Sequence, residues 1–164
     1  MPGEGRRNLW KGLAAGALGG FAGAFAMSKF HSLLPDTGPT PEENSEDSTV
    51  LAAGGISRSL FDYQLTKEQK KIAGPVVHYA FGASMGAVYG TLVEEQPCLQ
   101  AGWGISFGIV LWLGAHVIAV PALGLSKPIV RSTLPAEGAE FGGHVVYGAV
   151  GEVVRRVVRA YALE

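Results

Sequence analysis

Four histidines carry the most chemical potential in this chain: His31, His78, His116 and His144. Imidazole titrates closest to neutral pH, and its nitrogens ligate zinc, copper, iron and haem. Glu140 precedes His144 by one helical turn, a spacing at which a carboxylate can join a ligand set or orient a ring. The chemistry open to such a group is binding of a metal ion, a haem or a pigment, or passage of ions or protons along polar side chains. Two haems stacked across a bilayer would need a second histidine pair at the opposite depth, and the sequence has none. The competing reading is structural, with each ring bonded to a backbone carbonyl, a neighbour or water. No nucleophile elbow, phosphate loop, HExxH or dinucleotide fingerprint occurs, so no catalytic residue is assigned and a non-enzymatic role is expected.

The elements that must position these rings follow from composition. The chain has 164 residues, of which 24 are Gly, 48% apolar and only 16% charged. Its mean hydropathy is positive, which argues against disorder. Thirteen basic and 14 acidic side chains leave a net charge of −1, with no basic patch for nucleic acid. The single cysteine, Cys98, excludes an internal disulfide, and no paired Cys and His spacing suggests a zinc finger. Glycine at this frequency destabilises ordinary soluble helices, whereas membrane helices use it where backbones touch. Most of the glycines fall in four apolar stretches, which predicts an all-α integral membrane four-helix bundle.

The expected organisation is a cytoplasmic tail over 1–8, spans over 9–34, 66–94, 99–123 and 137–162, an acidic Pro-rich loop with a surface helix over 35–65, and a loop over 124–136. Arg6, Arg7 and the triplet Ala24-Phe25-Ala26 offer a rival reading of the first stretch as a cleaved signal. The apolar run, however, continues through Phe30, Leu33 and Leu34. Thr66 and Gln69 form a capping box that starts the second span near Lys67. The fourth span is the weakest of the four, since only 14 residues, about 22 Å of helix, separate Glu140 from Arg155, against a core of about 30 Å. Arg6, Arg7 and Lys11 before the first span, with Arg155, Arg156 and Arg159 after the last, place both termini in the cytoplasm. Seven basic residues on the other side leave the totals without bias.

Small residues recur every four positions on the first span, at Gly12, Gly16, Gly20, Ala24 and Ser28, and again at Gly82, Gly86 and Gly90, at Gly104 and Gly108, and at Gly148 with Gly151 nearby. Such stripes predict close helix packing, within one chain or between copies or other membrane subunits. The histidines align with these stripes and fall at one depth, near the non-cytoplasmic surface. Glu94, Glu95, Glu152, Arg155 and Arg156 should meet at the opposite surface and pair, among Trp10, Trp103 and Tyr161. HYAFGA from His78 is echoed by HVVYGA from His144, and Pro35-x-x-Gly38 by Pro121-x-x-Gly124, which suggests two repeated helical hairpins.

The segments AGPVVHYAFGASMGAVYG (73–90), LWLGAHVIAVPALGLS (111–126) and HVVYGAVGEVVRR (144–156) together resemble the YagU-like family of uncharacterised bacterial inner-membrane proteins. That resemblance implies a protein of about four helices in the inner membrane and assigns no catalytic residues. Its partners would be the lipid bilayer and other membrane subunits or further copies. His31, His78, His116 and His144, with Glu140, remain the candidate ligands for a metal ion or haem.

Overall fold

The computed structural model describes residues 8–34, 48–119, 122–123 and 134–162, without the side chain of His116. Among these the chain is all-α, with five α-helices and no strand: α1 (Leu9–Leu33), α2 (Ser48–Phe61), α3 (Lys67–Glu95), α4 (Ile105–Leu111) and α5 (Leu134–Tyr161). A 3-10 turn, Pro97–Gln100, follows α3, and α4 continues as a π-helix over Trp112–Ala119. The segments Pro35–Gly38 and Pro121–Gly124, apart from residues 122–123, lie outside the described residues, as does the acidic half of the loop after α1.

Helix ends follow local chemistry. The Asn8 side chain accepts from the Lys11 amide at 3.1 Å and caps α1. The capping box at α3 is complete: Thr66 Oγ1 accepts from the Gln69 amide at 3.3 Å, and Gln69 Oε1 accepts from the Thr66 amide at 2.9 Å. A helix, α2, forms in the second half of the long loop and ends where Asp62 turns left-handed (φ 49°). An Asp there is tolerable because its short polar side chain stabilises that conformation. The third apolar stretch begins at Leu99, yet regular helix begins only at Ile105. Gly102, Trp103 and Gly104 all take positive φ, between 55° and 84°, and turn the chain back before the helix can start.

α1 is the central helix. One edge of it, Gly12, Gly16 and Gly20, runs antiparallel along Gly90, Gly86 and Gly82 of α3. A methyl at Gly16 would meet the Gly86 carbonyl oxygen, and a methyl at Gly86 would meet the Gly16 carbonyl. The adjacent edge, Gly19 and Gly23, lies against Gly151 and Tyr147 of α5. α4 in turn packs Gly104 and Gly108 onto Gly148 and His144 of α5. The stripes are therefore consumed within the chain, backbone on backbone, with dispersion and Cα–H···O contacts in place of interdigitated side chains.

The two hairpins are not packed alike. α1 touches both α3 and α5 closely, whereas α3 and α4 meet through stacked Tyr89 and Phe107 rings, 4.5 Å apart. Within the echoed motifs, Phe81 is exposed and Tyr147 is buried. The similarity of HYAFGA and HVVYGA thus does not extend to the surroundings of these two aromatic residues.

The distribution of side chains is inverted relative to a water-soluble domain. The buried face of α1 is Gly12, Ala15, Gly16, Gly19, Gly20, Gly23, Ala24 and Met27. Its outer face is Leu13, Leu18, Phe21 and Phe25, each 40–55% exposed. α3 repeats the pattern with Ile72, Val76, Phe81, Val88 and Leu92 outward. Two helices, Leu9–Leu33 and Lys67–Glu95, are long and apolar enough to cross a membrane.

These contacts separate two kinds of glycine. Gly86→Leu is expected to force α1 from α3 and cost about 3 kcal/mol or more. Gly54→Ala, at a site with nothing within 4 Å of the added methyl, should instead stabilise by about 0.5–1 kcal/mol. Thermal unfolding in mild detergent, followed by circular dichroism, checks both signs.

Candidate functional site

The bundle carries polar groups at both ends. At the end where α1 finishes and α3 and α5 begin, a cleft of about 580 Å³ is lined by α1, α2, α3 and α5, with Leu111 of α4 and Ala115 of the π-helix. Its lining includes His31, His78, His144, Glu140 and Ser28, so three of the four histidines and the carboxylate share one cleft. His116 lies in the π-helix, with its side chain outside the described residues.

Each of the three rings is held by a backbone carbonyl. His31 Nε2 donates to the Ala139 carbonyl at 3.2 Å, which ties α1 to α5. His78 Nε2 lies 3.2 Å from both the Ala24 carbonyl and Ser28 Oγ, which ties α3 to α1. His144 Nδ1 donates to Glu140 O, one turn back, at 2.8 Å. Since a carbonyl can only accept, it fixes the proton on the nitrogen facing it, and the other nitrogen of a neutral ring is an acceptor. Among the described residues no three His, Cys, Asp or Glu side chains form a group that could hold a metal ion. The cleft gathers His31, His78, His144 and Glu140, four of the five candidate ligands.

Small residues set this geometry. Gly143 lets the His31 ring lie directly on the α5 backbone, where a methyl would meet Nε2. Gly74 admits Val50 of α2 to within 2.7 Å of where a Cβ would sit, which seats α2 beside the cleft. Ala115 brings the π-helix, a rare conformation, into the lining.

Tyr147 is the residue that spacing alone did not single out. It is 3% exposed, and its hydroxyl donates to the Gly82 carbonyl at 2.7 Å, joining α5 to α3. It lines the histidine cleft on one side and, on the other, a cavity of about 10 Å³, room for about one water. The signal was a phenol, in place of the phenylalanine of the first motif, where an apolar core would need none.

At the opposite end the expected ion cluster is present, with a partner the sequence reading left out. Glu152 is fully buried and bonded to two guanidinium groups, Arg155 Nε at 2.6 Å and Arg156 Nε at 2.5 Å. Arg156 also donates to the Gln100 carbonyl at 3.0 Å and stacks 4.3 Å from the Trp103 ring, which holds the left-handed turn in place. Glu94 pairs with Arg159 at 2.6 Å and accepts from the Asn8 amide at 3.2 Å. Glu95 is exposed. Two charges buried at this depth are tolerable only as a pair, since removal of one leaves the other desolvated.

Glu152→Leu is accordingly expected to destabilise the protein by about 3–5 kcal/mol through the stranded Arg155. Glu152→Leu combined with Arg155→Leu should recover part of that loss. Unfolding midpoints of the two variants test it, and a double variant no more stable than the single one contradicts the pairing argument.

Comparison with curated proteins and with solved structures gives no match. The family model described as "Protein of unknown function (DUF1440)" matches residues 21–153, which span α1 from its middle to most of α5, and the chain belongs to that family.

Proposed function

We propose that this chain is a small multi-pass protein of the bacterial inner membrane that acts as a non-enzymatic accessory or scaffold subunit. The observation that carries the membrane reading is the inverted distribution of side chains, glycine inside and leucine and phenylalanine outside. A fully buried Leu or Phe contributes about 1.5–3 kcal/mol in water. Four of them left about half open on α1 forgo several kcal/mol, against a typical total of about 5–15 kcal/mol. Lipid removes that cost, because the outer face then meets acyl chains.

In this reading α1, α3, the α4 and π-helix run, and α5 form a four-helix bundle across the bilayer. α5 is the least apolar of them, and it crosses with Glu152 and Arg155 paired inside the bundle. The likeness to YagU-like inner-membrane proteins agrees with this placement. Both termini are assigned to the cytoplasm on Arg6, Arg7 and Lys11, because Arg155, Arg156 and Arg159 are each already paired with a carboxylate. A second reading, a bound small ligand, is favoured by one specific feature: His31, His78, His144 and Glu140 line a common cleft.

Three measurements test the proposal. The protein should stay in the membrane pellet after alkaline carbonate, and release into the supernatant would overturn the membrane assignment. Cys98, exposed in the turn after α3, should resist an impermeant maleimide in intact spheroplasts and react after lysis, whereas Ser57→Cys in a Cys98→Ser background should react before lysis. Crosslinking and mild-detergent purification should yield a complex with another membrane subunit or a further copy, and a strictly monomeric, partner-free particle would count against the accessory role.

A further inference from the structure

α4 and the π-helix are too short to match the helices beside them, and the shortfall lies at one end. Together they run over Ile105–Ala119, seven and eight residues. At the rise of an α-helix that is about 22 Å, against a hydrocarbon core of about 30 Å. Heights along the bundle follow from the glycine contacts. Gly104 lies against Gly148 and Glu152 of α5, and Gly19 of α1 lies against Gly151, so α4 starts level with Gly19. α1 starts at Leu9, ten residues before Gly19, which puts the start of α4 about 15 Å below that of α1. At the other end the lengths agree: Gly108 lies against His144, with eleven residues beyond it to Ala119 and ten from His144 back to Leu134.

A cation and an aromatic ring are placed in that shortfall. Arg156, one turn beyond Glu152, has its backbone about 8 Å below the start of α1. Its side chain turns back toward the middle of the bundle: Nε donates to Glu152 at 2.5 Å, and Nη2 donates to the Gln100 carbonyl at 3.0 Å. That side chain is still 34% exposed, against 4% for Arg155. Glu152 is shared by both guanidinium groups, so the three residues together carry one positive charge. Arg156 Cζ lies 4.3 Å from the centre of the Trp103 ring, and Trp103 is 59% exposed. The left-handed backbone of Trp103 is costly for a bulky residue, and it holds the indole against the guanidinium at the surface of the bundle.

An exposed guanidinium among acyl chains is expensive, and it is relieved by snorkelling, by local thinning of the bilayer or by water. Its bond to Glu152 ties Arg156 away from the first. A short hydrophobic span brings about the second, because the leaflet thins to meet it. Guanidinium N–H groups match phosphate oxygens, and indole rings settle at head-group level.

We infer that the leaflet on the Glu152 side dips at α4 and seats one phospholipid phosphate against Arg156, beside Trp103. The lipid is recognised through its phosphodiester, with the indole packed between head group and acyl chain. The inference rests on the membrane reading above and adds to it a defined lipid contact and a local bilayer shape.

The test uses the full chain in vesicles of phosphatidylethanolamine and phosphatidylglycerol, in phosphate-free buffer. Trp10→Phe with Trp112→Phe leaves Trp103 as the sole tryptophan. Its fluorescence should be quenched most by a spin label on the head group and least by bromines near the chain ends, the same order as Trp10 in a Trp103→Phe, Trp112→Phe variant. Strongest quenching of Trp103 by the deep bromines means a flat leaflet and overturns the inference. Nitrogen–phosphorus recoupling NMR of the arginine-labelled native sequence should show a guanidinium signal attenuated by lipid phosphorus, and Arg156→Lys, which keeps the charge, should remove that signal. A set of attenuated signals unchanged by Arg156→Lys overturns the phosphate contact, as does attenuation that appears only when inorganic phosphate is added. Carbonate extraction separates the two levels: release from the membrane defeats the membrane reading, whereas retention with a deep Trp103 or without the phosphate contact defeats this inference alone.

Discussion

The absence of a side chain where α1 crosses α3 is the constraint on which the rest of the structure depends. At Gly16 and Gly86 each backbone occupies the space that the other's Cβ would take, and the same holds at Gly12 and Gly90. Only at that separation can Gly19 and Gly23 on the next edge of α1 reach α5 in the same way. Three helices thus meet around a line of glycines, and Leu13, Leu18, Phe21 and Phe25 of α1 face outward. What would be the core of a soluble bundle has become its surface.

That arrangement explains why polar groups gather at the two ends. A glycine-lined centre leaves little room between helices, and it holds Tyr147 with a cavity of about 10 Å³. The larger cleft lies toward one end, beside Ala24 and Gly82. At one end the histidine cleft lies among α1, α2, α3 and α5, and at the other Glu152, Arg155 and Arg156 form a charge network. The network also secures Trp103 in a left-handed conformation that is uncommon for a bulky residue.

Much of this is written in local pattern. The four-residue recurrence of Gly12, Gly16 and Gly20 identifies the inward face, because a helix returns to the same side about every 3.6 residues. Thr66 and Gln69 announce the start of α3, because capping is settled within one turn. The clustering of His31, His78 and His144 at one end follows from alternating helix direction. Other features depend on neighbours that periodicity does not name. Gly19 and Gly23 mark a second packing edge, but their partner is α5 only because α1 is central. The late start of α4 arises from three consecutive left-handed residues, and a composition window reads Gly102, Trp103 and Gly104 as ordinary membrane sequence. The π-helix at Trp112–Ala119 has no local signature in the run WLGAHVIA. Arg159 finds Glu94 because two helix ends arrive at the same height, a matter of relative length rather than of either sequence alone.

The pairing of Glu94 with Arg159 and Asn8 has a consequence for how the chain is made. It joins the start of the first helix, the end of the third and the last turns of the fifth in one hydrogen-bonded group. During synthesis α1 and α3 can zip together as soon as both have left the ribosome, since their glycines need no later segment. Glu94 then waits for its cation until nearly the whole of α5 has been translated. The chain therefore carries its own completion mark, a carboxylate near mid-chain that is neutralised only when the final helix has docked in register.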